Sequence, residues 1–157
     1  METKEILNLA IQKKLCQPWQ EKMKNDSSIE NLCQMYFDGD DWAIKNDFPS
    51  ISILREFKGR SEKFGIFTDY KGEIENLKQA AFFGKSEAKL TYNSFEVGNV
   101  IIRHESKLQV TASGNSILFI TILDNATADI EGLDKSCVTI FNKSNNVIKS
   151  TGNVSVK

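Results

Sequence analysis

The chain has 157 residues, of which 40% are hydrophobic and 26% charged, and its formal net charge is −1. That composition specifies one folded domain, or a small domain with an appended lobe, and excludes a disordered tail. Before Gly84 there are 12 basic and 14 acidic residues, and from Gly84 onward 8 and 7. Neither half carries the basic surface that phosphate neutralisation requires, so nucleic acid is not an expected partner.

The first 59 residues read as a helical lobe. Thr3 precedes Ile6, Leu7, Ala10 and Ile11 at helical spacing. Pro18 suits the first turn of a second helix over about 18–25. In "SSIE", Ser27 as N-cap and Glu30 form a capping box, and the helix it opens places Ile29, Leu32, Cys33 and Tyr36 on one face. Gly39 in "DGDDW" breaks that helix. Asp40 then caps a short one through Trp42 and Ile44, and "SISILREF" supplies a fifth. Residues 60–83 read as a connecting segment: "FGIFTDY" is strand-like, and "YKGE" a turn.

From Gly84 to the end, 84–157, a period of ten governs the chain. Ser86, Ser106, Ser116 and Ser136 recur at the third position of a repeat. Leu108, Leu118 and Val138 recur at the fifth, and Val100, Val110, Ile120, Ile130 and Ile140 at the seventh. Small and apolar residues at every second position mark the inner face of a strand. Repeats open on "GK", "GN", "DN" and "DK", where Gly, Asn and Asp tolerate left-handed backbone. A hairpin does not demand equal spacing, but stacked coils do. The chain is therefore expected to be α+β, with a helical lobe followed by a short β-solenoid. Two ten-residue half-rungs make each coil, giving about three and a half rungs; an antiparallel β-sandwich is the alternative.

A twenty-residue coil stacks alternate repeats on the same face. One face then carries Val97, Ile101, Ile117, Phe119, Cys137 and Phe141 and is expected to be covered, by the helical lobe or by another subunit. The other carries Glu87, Lys89, Lys107, Gln109, Asp129 and Lys149 and is written for water. The closing stretch "GNVSVK" reads as a strand whose edge invites pairing, and a homo-oligomer is expected.

Catalytic signatures are absent. His104 is the only histidine and has no Ser or Cys partner at a recognisable spacing, so a structural role is expected. Cys16, Cys33 and Cys137 are odd in number and form no CxxC, which suits free thiols in a reducing cytoplasm rather than disulfides or zinc. "DGDDW" lacks the ligand spacing of a calcium loop, and "FKGRSEKFG" is not a phosphate-binding loop of the Walker type. No metal or cofactor is expected. The N-terminus has no long apolar run, and no stretch of 18 apolar residues offers a membrane span.

"LCQMYFDGDDWAIKNDFPS" and "AAFFGKSEAKLTYNSFEVGNVIIRHES" resemble small proteins carried by phages and mobile elements of gut Bacteroidales. The repeat is also similar to the bactofilin β-helix, although it has fewer glycines, few rungs and a large helical lobe. The phage resemblance implies a virion component or a host-directed accessory protein, with phage or host proteins as further partners.

The function expected first is a non-enzymatic structural or interaction protein that self-associates. A second reading, a small-ligand binder, places a pocket at the lobe–solenoid junction near Trp42, Arg55, Arg60 and Tyr70. A third, a polysaccharide hydrolase or lyase, would draw on the polar face, where no paired-carboxylate arrangement is evident.

Overall fold

A computed structural model describes all 157 residues, which divide into two compact units, Met1–Phe64 and Gly65–Lys157. The first contains five helices: α1 (Thr3–Gln12), α2 (Gln17–Asn25), α3 (Ile29–Asp38), α4 (Asp40–Lys45) and α5 (Ile51–Glu56). Their inward faces bury Ile6, Ala10, Met23, Met35, Ile53 and Phe57 in one cluster. Pro18 lies in the first turn of α2, where its missing N–H costs nothing. The cap of α3 is displaced by one residue from the expected position. Ser28, not Ser27, accepts the Asn31 N–H at 3.2 Å, because Asp26 takes the Ser28 N–H at 2.9 Å and thereby sets Ser28 in the cap conformation. Thr3 and Asp40 are the first residues of α1 and α4 rather than their caps. No helix is long and apolar enough to cross a membrane.

The second unit is a parallel β-solenoid. Its strands are β1 (Ile66–Thr68), β2 (Lys71–Glu75), β3 (Gln79–Phe83), β4 (Glu87–Tyr92), β5 (Val97–Ile102) and β6 (Lys107–Ala112). They continue as β7 (Ile117–Ile122), β8 (Thr127–Gly132), β9 (Cys137–Asn142), β10 (Ile148–Gly152) and β11 (Val154–Val156). Odd strands form a six-stranded sheet in the order β1-β3-β5-β7-β9-β11, and even strands a five-stranded sheet in the order β2-β4-β6-β8-β10. Every pairing is parallel. The chain therefore coils, crossing from one sheet to the other at each corner, and the antiparallel alternative does not occur.

Through the middle of the solenoid, register follows the repeat. Val100 pairs with Ile120 and Ile120 with Ile140, and Leu90 pairs with Val110 and Val110 with Ile130. These side chains meet between the sheets and are almost completely buried. The solenoid starts earlier than the ten-residue count does, since β1–β3 lie ahead of Gly84 in the stretch read as a connection. Their coil is shorter: Lys71 pairs with Glu87, an offset of 16 (71 to 87), so the period of ten cannot reveal it. The last coil shortens in the same way, with Val138 paired to Val154 (138 to 154). At the first coil Phe67 stacks on Phe82 at 4.9 Å between centroids, with Tyr70 beside it at 4.9 Å, so aromatic rings fill the narrowing core.

Gly98 is the one glycine at an inward fifth position. A Cβ there would lie 2.7 Å from Leu118 Cδ2 and 2.9 Å from Tyr92 Cε1. The Tyr92 ring occupies that space and donates its hydroxyl to the Leu77 carbonyl at 2.8 Å. Gly98→Ala should gain about 0.4–1 kcal/mol by restricting the unfolded chain. Overpacking at about 1–3 kcal/mol outweighs this gain. Urea unfolding is expected to show a net loss of stability; a variant as stable as the parent would mean that the core around Tyr92 is looser than described.

Candidate functional site

The corners fix where every outward side chain points, and His104 belongs to one of them. Gly84, His104 and Asp124, each the first residue of a repeat, occupy one corner of successive coils with φ of 69°, 59° and 58°. Gly114 and Asp134 do the same at the opposite corner, at 63° and 54°. Left-handed backbone disfavours most side chains, which explains the Gly, Asp and His found there. The corners are also bonded along the stack. The Gly84 N–H donates to His104 Nδ1 at 3.0 Å, the His104 N–H to Asp124 Oδ2 at 2.9 Å, and the Asp124 N–H to Ser144 Oγ at 3.1 Å. Each side chain thus satisfies a backbone donor of the coil before it. Nδ1 accepts only in the neutral imidazole protonated at Nε2. The histidine is therefore committed to the stack by its hydrogen bond.

Arg103 reinforces this corner, its Nε lying 3.0 Å from Asp124 Oδ2. Burial by itself would raise the Asp124 carboxyl. Hydrogen bonds from the His104 backbone and the Arg103 guanidinium, together with the nearby positive charge, outweigh burial and hold it below the usual aspartate value. The recurring serines sit inside the corners: Ser86 Oγ donates to the Phe83 carbonyl at 2.8 Å and Ser116 Oγ to the Ser113 carbonyl at 2.7 Å. Small size is what the buried third position demands, since Ala126 occupies it as well as the serines.

The two outer faces differ in chemistry. On the six-stranded sheet, the outward positions of β5, β7 and β9 carry no charged side chain. Val97 is 55% exposed and Phe119 40%, Cys137 is exposed, and Ile117 and Phe141 are half-buried. Ile101, on the same face, is completely buried within the chain, as a covered face requires, and is not part of the open patch. Phe95, two residues before β5, is 79% exposed. It occupies a turn, "NSFE", where an aromatic has no core to join, and that misplacement is the signal by which sequence could have found it.

On the five-stranded sheet every strand presents charge, and a shallow trough of about 610 Å³ runs over it, lined among others by Glu73, Glu87, Lys89, Lys107, Asp129 and Lys149. Acidic and basic residues interleave there, and no carboxyl pair stands apart as an acid and a base. None of the four residues proposed to hold a small ligand lines this trough. Of these four, Tyr70 packs its ring against Phe67 in the solenoid, whereas Trp42 packs edge-on to Phe48 at 5.5 Å in the helical unit.

 Arg55 is exposed at the end of α5. Arg60 lies over the Phe57 ring at 4.7 Å and donates to the Glu56 carbonyl at 3.0 Å. Burial pushes the Cys33 thiol up to about 12, so it stays protonated. Asp40 in "DGDDW" is raised by burial and by the neighbouring Asp41, and no group of three His, Cys, Asp or Glu side chains converges to hold a metal ion. Compared with known protein families, curated proteins and solved structures, the chain matches none.

Two expectations follow from the corner. His104→Asn keeps both an acceptor and tolerance of left-handed backbone and should stay within about 0.5 kcal/mol of the parent, whereas His104→Val loses both and should cost about 1–3 kcal/mol. Equal unfolding midpoints for the two variants would contradict the stacked corner. The folded pKa of Asp124 is depressed, so its contribution is complete above the unfolded value of about 3.9 and disappears as pH falls through the folded one. Asp124→Asn, which preserves the corner geometry, should therefore flatten the acid limb of the stability–pH curve; an unchanged limb would place the acid sensitivity elsewhere.

Proposed function

We propose that the protein is a non-enzymatic interaction module that self-associates through the uncharged face of its six-stranded sheet. The observation that carries this reading is the contrast between the two faces. The outward positions of β5, β7 and β9 lack charge and leave Val97 and Phe119 open, whereas every strand of the opposite sheet presents charged side chains. Exposed Cys137 lies on the same face, and an exposed apolar patch of this kind marks an interaction site.

A second copy of the chain is the partner this chemistry favours. A two-fold contact sets a surface against itself, so any charged position near the axis meets its own like charge. A patch without charges meets no such repulsion, and its Asn99, Thr121 and Thr139 supply hydrogen bonds that a copy can return. Phe119 stands at the middle of the patch, flanked by Asn99 and Thr139 on the adjoining strands, and is the natural anchor.

Light scattering on a size-exclusion column tests this reading. The expected mass for the parent is a multiple of 17.7 kDa. Phe119→Lys and Val97→Lys, both at exposed positions that leave the core intact, should lower that mass. A parent that elutes as a clean monomer at high concentration, or a mass that neither variant changes, would contradict association through this face.

A further inference from the structure

The opposite sheet carries an order of charges that the self-association reading does not use. Glu73, Lys89, Gln109, Asp129 and Lys149 form one outward row, one residue from each of β2, β4, β6, β8 and β10. Glu73 pairs with Lys89, Lys89 with Gln109, Gln109 with Asp129, and Asp129 with Lys149. All five are exposed. Along the stack the row reads negative, positive, neutral, negative, positive. Read backwards, it has the opposite sign at every charged position.

This antisymmetry has a geometric meaning. A two-fold axis lying along β6 brings two copies of the face together with their stacking order reversed. Glu73 then meets Lys149 of the second copy, Lys89 meets Asp129, and Gln109 meets its own copy, where the two amides can exchange donor and acceptor. Shifting the axis removes the match. Along β4 it sets Lys89 on its copy, and along β8 Asp129. Between β4 and β6 it opposes Glu73 with Asp129, and between β6 and β8 it opposes Lys89 with Lys149. An axis parallel to the stack sets every member of the row on itself.

The neighbouring rows are compatible with the β6 axis. Glu75 and Glu131 meet Thr151 and Thr91. Lys107 meets its own copy, but Glu87 of each chain stands one strand away, within reach of a long ammonium side chain. Opposite charges on adjacent strands also stabilise the face within a single chain. That intrachain effect explains alternation between neighbours, but it requires neither a neutral residue at the centre nor reversal of sign about it.

We propose that the outer face of the five-stranded sheet is a second homotypic docking surface, occupied by another copy of this chain across a two-fold axis along β6. Five strands about 4.8 Å apart and about six residues long cover a few hundred Å², less than the roughly 800 Å² per partner of a standard interface. The contact is accordingly weak and salt-sensitive. It does not depend on the six-stranded sheet. Where both contacts form, two different two-fold faces on one chain link more than two subunits.

The experiment is a charge exchange in the Phe119→Lys background, where the six-stranded face is blocked, with Val97→Lys as a second background. At low ionic strength, light scattering or sedimentation should find a dimer that dissociates as salt is added. Adding Lys89→Glu should weaken that dimer about tenfold or more, because it sets like charges across the interface twice. Adding Asp129→Lys to it should restore dimerisation. The double exchange re-pairs opposite charges between copies while leaving like charges between neighbours within each chain, so folding stability should fall further as the dimer returns. A monomer in both backgrounds at low salt, a dimer indifferent to Lys89→Glu, or a double exchange that fails to recover the dimer would overturn the proposal. Failure of the six-stranded contact reads separately, as an identical mass for the parent and the Phe119→Lys variant.

Discussion

The whole second unit depends on one constraint: parallel strands must stack in register, coil upon coil, with every backbone donor finding the coil beside it. In an antiparallel sheet a hairpin of any length will do. In a solenoid a one-residue slip between neighbouring coils would turn inward side chains outward. The pairing of Ile120 with Val100 on one side and Ile140 on the other is that constraint expressed in residues. Once it holds, Leu118 and Val138 must stack in the core and Phe119 and Thr139 must stack outside it.

The corners make the constraint affordable in sequence terms. Each needs a left-handed residue and a partner for the backbone N–H that points along the stack. Aspartate, histidine and asparagine supply both functions from one residue, as Asp124, His104 and Asn76 do, while Ser144 supplies the acceptor alone. The chain's only histidine is explained here without any chemistry on a substrate. Its ring nitrogen holds the corner of the preceding coil in place, and the Arg103–Asp124 pair holds the next.

Much of the solenoid was legible because a period of ten leaves a direct trace: Ser at the third position, aliphatic residues at the fifth and seventh, turn formers at the first. The two faces were legible for the same reason, since a twenty-residue coil assigns every outward residue to a sheet. The end coils were not legible. Their offsets of 16 (71 to 87, and 138 to 154) break the count, and residues such as Phe67 and Tyr70 fill space that is unique to the narrowed first coil. Strand alternation tells which side Ile101 faces and not whether that side is open, and its burial within the chain is therefore not legible from the repeat. Phe95 was missed because it lies in a turn, outside the alternation altogether.

The coiled register is also what a single distance measurement can decide. Spin labels at Lys89 and Lys149, diluted with unlabelled protein so that only intrachain pairs are read, sit in the same row three strands apart. The account predicts backbone positions about 14 Å apart, three strand spacings. A meander of the same seven repeats would separate them by six spacings, about 29 Å, and a distance near that value would contradict the solenoid and, with it, the division of the surface into two chemically different faces.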